Sequence, residues 1–123
     1  MPTLQQLGSE KYVLLTTFRR DGRAVATPIW VMPDGDGVAF WTVRDSGKVK
    51  RIRNSGRVTL TACDMRGNPR GEAIEATARL GEPTDRPRVG KALMKKYGLM
   101  GRLTYLGSRL RRGADGTVII LAD

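Results

Sequence analysis

Apolar and polar positions divide this chain into short runs punctuated by Gly, Pro and Asp. Tyr12–Phe18 (YVLLTTF) is dense in β-branched and aromatic residues, which predicts a strand. Asp21-Gly22 is a hairpin signal, and Ala24–Met32 (AVATPIWVM) reads as the partner strand. That second run is apolar on both alternating faces except at Thr27, so both faces should be covered. Pro28 inside it implies an edge, a bulge or a kink, because proline cannot donate to a ladder. After the PDGDG turn, Val38–Arg44 predicts a third strand, and the three runs together predict an antiparallel meander.

From Ser46 to Ser55 the spacing becomes helical. Val49 and Ile52 lie three apart and face a core, Lys48 and Arg51 share another face, and Asp45 or Ser46 supplies the N-cap. Arg57–Met65 predicts a fourth strand. Glu72–Leu80 predicts a half-exposed fifth, with Ile74, Ala76, Ala78 and Leu80 on one face. A helix is expected from Pro87 to Tyr97, with Val89, Leu93 and Tyr97 as its apolar stripe, Asp85 as its cap and Gly98 ending it in a left-handed turn. The stretch from Leu99 to Gly116 is broken by glycines and ambiguous. TVIILAD closes the chain as a buried strand. Six short strands and two helices over 123 residues predict one mainly β domain spanning 1–123, a small antiparallel barrel or sandwich.

Charge sharpens this picture. Lys and Arg number 22 against 12 Asp and Glu, a net +10 that favours acidic partners over simple solubility. Six cations and only one acid, Asp45, fall between Thr42 and Val58, and no acid occurs from Lys91 to Arg112. The chain has no histidine, which removes Ser-His-Asp and Cys-His catalysis and the commonest metal ligand. The one cysteine, Cys63, permits neither an internal disulfide nor a thiol pair for zinc. It fits a small apolar strand residue in a reducing cytosol. No signal peptide and no bilayer-crossing run is expected, so the reading is cytoplasmic with no membrane.

Three stretches are candidates for chemistry. A strand delivers the chain to Ser46-Gly47-Lys48 where a helix begins. Free amides, a hydroxyl, a glycine and an ammonium there suit a phosphate, although a solvated, capped surface helix has the same residues. In Thr27-Pro28-Ile29-Trp30 a lone hydroxyl and freed backbone groups can meet a flat ring, or simply form an edge strand. Trp30 and Trp41 can stack on a ring or fill a core. The basic run from Lys91 to Arg112 joins these as a possible polyanion groove.

KYVLLTTFRRDGRAVATPIWV, WTVRDSGKVKRIRNSGRVTL and KKYGLMGRL…GSRLRRGADGTV, taken in order, resemble the FMN-binding split-barrel superfamily. The nearer likeness is to its actinobacterial, pyridoxamine-oxidase-like branch, which uses the deazaflavin coenzyme F420. The resemblance covers nearly the whole chain. It implies a six-stranded antiparallel split β-barrel with two or three short helices, and a homodimer holding its cofactor in a groove between subunits. It places Thr27, Pro28, Ile29 and Trp30 along the ring, and Trp41, Thr42 and Val43 beside the ring and ribityl chain. Ser46, Gly47 and Lys48 fall at the phosphate, with Arg51 assisting. It also gives the basic charge a use, because this coenzyme carries an oligoglutamate tail; Lys50, Arg51 and the Arg102–Arg112 region are candidates to meet it.

The implied function is an F420-dependent oxidoreductase acting on a small molecule, with no catalytic residue assigned and no metal. The cofactor does the hydride chemistry, so an acid–base pair is not required. An FMN-binding oxidoreductase or flavin carrier of the same fold is the alternative. A basic nucleic-acid-binding barrel ranks below both, because only 6% of residues are aromatic and no stacking platform is evident. Dimerisation has its own motive in the apolar second and last strands, which need cover on both faces.

Overall fold

The computed structural model describes residues 3–44, 46–112 and 117–123, with the backbone alone for 105–112. In chain order the elements are α1 (Leu4–Gly8), β1 (Tyr12–Phe18), β2 (Ala24–Trp30), β3 (Met32–Asp34), β4 (Gly37–Val43), α2 (Gly47–Asn54), β5 (Arg57–Cys63), β6 (Ile74–Leu80), α3 (Arg86–Arg112) and β7 (Thr117–Ala122). A single 3-10 turn, Pro83–Asp85, leads into α3. The strands form one antiparallel sheet in the order β2-β1-β5-β6-β7-β4-β3. The sheet curls into a half-barrel, bringing β2 at one end close to β4 near the other.

The barrel interior is filled by Val13 and Leu15 of β1, Val38 and Phe40 of β4, Val58 and Leu60 of β5, Ile120 of β7, Leu7 of α1 and Ile52 of α2. A second apolar layer lies between the sheet and α3, where Met32, Ala39, Ile119 and Leu121 meet Val89 and Leu93. The helical spacings read from the sequence hold: Val49 and Ile52 are buried, as are Val89 and Leu93. On β6 the expected face is the buried one and Glu75, Thr77 and Arg79 are exposed. Cys63 is a buried free thiol at the end of β5.

Four expectations change. The run Ala24–Met32 is two strands, giving seven in all. The break falls at Val31, whose amide donates to the Tyr97 hydroxyl at 3.1 Å and whose carbonyl accepts from Lys96 at 2.5 Å. With its backbone bound to α3, Val31 belongs to neither ladder; Ala24–Trp30 pairs with β1 and Met32–Asp34 with β4. The three-strand meander is also not formed. The β1–β2 and β3–β4 hairpins are both present, but the break at Val31 separates them, and the other edge of β4 pairs with the wholly buried β7, an apolar strand that needs neighbours on both edges. Third, a single chain does not cover β2 on both faces: it is an edge strand, exposed at Ala24 and Ala26, and Pro28 sits in it without breaking a ladder bond on the open side. Last, Gly98 does end the first helical stretch with a non-helical, positive-φ conformation, but no loop follows it. Its φ is 57°, and a second helical stretch starts across this kink and runs to Arg112. The close return relies on Gly101, where a Cβ would run into the carbonyl oxygen of Leu93.

The short helix α1 went unread in the sequence, although Thr3-x-x-Gln6 is its signature. Gln6 N donates to Thr3 Oγ1 at 3.1 Å and Thr3 N to Gln6 Oε1 at 2.8 Å, a reciprocal capping box. Thr3→Ala is expected to lower stability by about 1 kcal/mol in urea unfolding, because one first-turn amide loses its acceptor.

Candidate functional site

The first turn of α2 gathers the residues singled out for an anion. Ser46 holds the N-cap position with extended backbone, yet its hydroxyl makes no cap bond; the oxygen is buried and has no hydrogen-bond partner among the described residues. Asp45, the other candidate cap, lies outside the described residues. Leaving such an oxygen unpaired costs about 1–3 kcal/mol, so the arrangement suits a donor or acceptor brought by a ligand. At Gly47 a Cβ would sit 2.7 Å from Nη1 of Arg51, so a side chain there would displace that guanidinium.

Arg51 is held from the other side as well. Its Nε donates to Oγ1 of the buried Thr17 on β1 at 2.5 Å. Lys48, half-buried beside it, has its ammonium pulled below the usual lysine range, first by burial and then by the Arg51 charge. Among the described residues neither Lys48 nor Arg51 pairs with a carboxylate. This turn presents a hydroxyl, a bare glycine, two cations without a carboxylate partner among the described residues and first-turn amides at the positive end of a helix dipole, a cradle whose chemistry could accept an oxyanion.

The other two groups of residues are placed differently. On β2, Thr27 and Ile29 pair with Leu15 and Val13 and so face the barrel interior, while Pro28 and Trp30 pair with Leu14 and Tyr12 on the outside. What β2 offers a ligand along its open side is therefore mainly backbone. On β4, Thr42 is buried and Val43 partly so, and the strand leads directly into the Ser46–Lys48 turn. Both tryptophans pack against the α3-side layer. The guanidinium of Arg86 lies 4.8 Å over the Trp41 ring, and Arg86 also donates to the Thr117 carbonyl at 2.8 Å and hydroxyl at 2.9 Å. The structure thus joins β4 to the cradle, and leaves Trp30 elsewhere.

Trp30 belongs to a polar knot that sequence reasoning missed. Its ring stacks on Tyr97 with centroids 4.1 Å apart and planes within 4°. The Tyr97 hydroxyl hydrogen is shared between the carbonyls of Lys11 at 2.7 Å and Val31 at 3.0 Å. Lys96 Nζ donates to the carbonyls of Gly8 at 2.7 Å, Val31 at 2.5 Å and Glu10. Burial pulls this lysine down to about 8 and pushes Tyr97 up to about 12. Tyr12, Trp30 and Tyr97 wall an adjoining cavity of about 490 Å3. The available signal was Lys96 next to the inward-facing Tyr97, but a lysine on a basic helix reads as solvated until its carbonyl partners are known.

The basic run after Gly98 is only partly visible: Arg102 is exposed, and the side chains of Arg109, Arg111 and Arg112 lie outside the described residues. Among the described residues no three His, Cys, Asp or Glu side chains are grouped to hold a metal. No described helix is long and apolar enough to cross a membrane.

Residues 3–120 match the family model for pyridoxamine 5'-phosphate oxidase. The chain belongs to this family. Its half-barrel is shared with solved members and neighbours of the pyridoxamine 5'-phosphate oxidase group. A conserved hypothetical protein from Mycobacterium tuberculosis superposes with a TM-score of 0.69 at 21% identity, over 94% of this chain and 73% of the other. A structure described as an F420 reductase gives 0.63 at 20% identity, over 99% and 93%. A FAD-binding protein from Mesorhizobium loti gives 0.63 at 12% identity, over 94% and 82%. No curated protein matches the chain in sequence. At these identities the likeness establishes the architecture.

Proposed function

We propose that this protein is an oxidoreductase that binds coenzyme F420 through its phosphate at the start of α2 and serves a small organic substrate. The observation that carries the proposal is the buried Ser46 hydroxyl beside Gly47, without a hydrogen-bond partner among the described residues, and the cations Lys48 and Arg51, without a carboxylate partner among them. The residues fit a dianionic ester: Ser46, Lys48 and Arg51 would hold it, and Gly47 leaves it room. Thr42 and Val43, continuous with the cradle, and the open backbone of β2 at Thr27–Trp30 would flank the ring. When bound, the deazaflavin supplies the hydride chemistry, and the protein contributes position and electrostatics. The similarity to an F420 reductase over nearly the whole chain favours this coenzyme. We place the protein in the cytoplasm, consistent with its single, free, buried thiol.

A homodimer is part of the proposal. The last strand, β7, is already buried within one chain, so it no longer calls for a partner. The half-exposed edge strand β2 does, and a second copy across it would enclose the ring. Sedimentation at micromolar concentration should show a dimer; a monomer that still binds coenzyme would remove this part.

The decisive experiment titrates the protein with F420 and, separately, with FMN, followed by fluorescence. Saturable F420 binding with a Kd of about 10 μM or tighter is expected, equivalent to roughly −7 kcal/mol. Absence of saturation would refute the coenzyme assignment. Tighter FMN binding would transfer the same cradle to a flavin, the reading favoured by the similarity to a FAD-binding protein.

A further inference from the structure

Past the kink at Gly98, the second stretch of α3 turns its apolar side away from the protein. Gly101 marks the inward side: it is buried, and a Cβ on it would run into the carbonyl oxygen of Leu93. Leu99 and Leu103 stand two positions to either side of it. That spacing puts them about 160° around the helix, facing out. Their exposures are 72% and 57%, and Met100 beside Leu99 is 59% exposed. Of the four large hydrophobic side chains exposed among the described residues, three therefore fall between Leu99 and Leu103; the fourth is Met65. The amino-acid order continues the same spacing with Leu106 and Leu110. A single exposed leucine needs no explanation, whereas an outward stripe at helical spacing marks a contact.

Charge around the stripe selects what makes that contact. Lys91, Lys95 and Arg102 are exposed on the same helix, and no acidic residue occurs from Lys91 to Arg112. A second copy laid stripe to stripe would oppose these cations with their own kind, which disfavours that pairing. Met100 also lines the cavity walled by Tyr12, Trp30 and Tyr97, together with the exposed Lys11. The Lys11 ammonium lies 6.0 Å from the centroid of the Tyr12 ring. Aromatic rings beside ammonium groups suit the headgroup level of a bilayer. Acidic lipid answers both halves of the surface, with hydrocarbon for the leucines and phosphate for the cations.

We propose that the second stretch of α3 lies on an anionic lipid surface, with Leu99, Met100 and Leu103 below the headgroups and Arg102 and Lys11 at their phosphates. A helix lying in the interface plane needs no bilayer-crossing segment. The expected absence of membrane contact is thereby replaced by a peripheral contact, and Arg102 meets a surface instead of a coenzyme tail. The cytoplasmic leaflet is the anionic one, so the proposed location is kept. No residue of the Ser46–Arg51 cradle takes part, so this contact and the coenzyme assignment stand or fall separately.

The test is co-sedimentation of the full chain with vesicles of phosphatidylcholine alone or with about 30 mol% phosphatidylglycerol. The parent should bind the anionic vesicles about tenfold more tightly than the neutral ones, and added salt should weaken that binding. Leu99→Ser/Leu103→Ser should bind them about tenfold more weakly than the parent. Its far-ultraviolet circular dichroism should be unchanged, because both side chains are exposed. Arg102→Gln, which leaves the stripe intact, should narrow the preference for anionic vesicles about two- to fivefold. No binding of the parent to anionic vesicles would overturn the proposal. Equal binding of the parent and the double serine variant would also overturn it, since charge alone would then account for the attraction. A parent that ignores vesicles and sediments as a dimer, with a monomeric serine variant, would give the stripe to a second copy instead.

Discussion

A Lys96→Met variant is expected to unfold about 2–4 kcal/mol more easily than the parent, the largest stability loss foreseen for any single side chain named here. The ammonium joins three backbone segments, the end of α1, the entry to β1 and the β2–β3 junction, to the middle of α3. Methionine preserves the volume of the stem but donates nothing. Val31 retains the Tyr97 hydroxyl, so its carbonyl stays paired. The carbonyls of Gly8 and Glu10 lose this donor, and each partly buried orphan costs about 1–2 kcal/mol. In a chain of this size the loss should appear as a fall in Tm of roughly 10 °C.

The same lysine sets a pH dependence that separates its role from mere packing. Its folded value is about 8 against an ordinary 10.5, so the unfolded chain binds the proton more tightly. Below about pH 8 the burial penalty is present in full. As pH rises from about 8 to 10.5 the penalty is relieved, and this residue's contribution to stability increases. Urea midpoints measured across that interval should rise less steeply in Lys96→Met than in the parent. Identical slopes would show that the amine is already solvated.

The second large effect is on binding. Lys48→Ala is expected to weaken F420 by about 10- to 100-fold, or 1.5–3 kcal/mol, the worth of a charge-assisted hydrogen bond to a phosphate. The lysine is partly buried with no carboxylate partner among the described residues, and a dianionic ester is the partner that would offset the cost of that burial. Ser46→Ala should cost less, about 1 kcal/mol, because a neutral donor is lost. Far-ultraviolet circular dichroism and urea midpoints should stay near the parent for Lys48→Ala, since removing one of two adjacent like charges relieves repulsion with Arg51. Unchanged F420 affinity in the variant would clear Lys48 and leave Arg51 as the only cation of the cradle.

Local pattern read the strands and the two amphipathic helices correctly where one face alternates with another. β1, β6, α2 and the first half of α3 announce themselves because hydrophobic periodicity records burial directly. The clustering of Ser46, Gly47, Lys48 and Arg51 was legible for a similar reason: they sit within one turn and a half of helix, so their proximity follows from sequence spacing. Where the reading failed, the missing information was long-range. Val31 leaves its ladder because a lysine and a tyrosine sixty-five and sixty-six residues later claim its backbone. The meander is cut at the same break: the piece after Val31 stays hairpinned to the third strand, whose other edge takes the final strand.

By itself the amino-acid order determined which segments bury a face, where a cation-rich helix starts and which catalytic chemistries the absence of histidine removes. Each of these depends on residues a few positions apart or on composition, and so is written locally. Only the tertiary structure decided which strands share a ladder, that β2 is a half-exposed edge and that Lys96 is ringed by carbonyls. Those outcomes come from competition among distant backbone groups for a limited number of partners. No local pattern can record that competition before the chain has closed on itself.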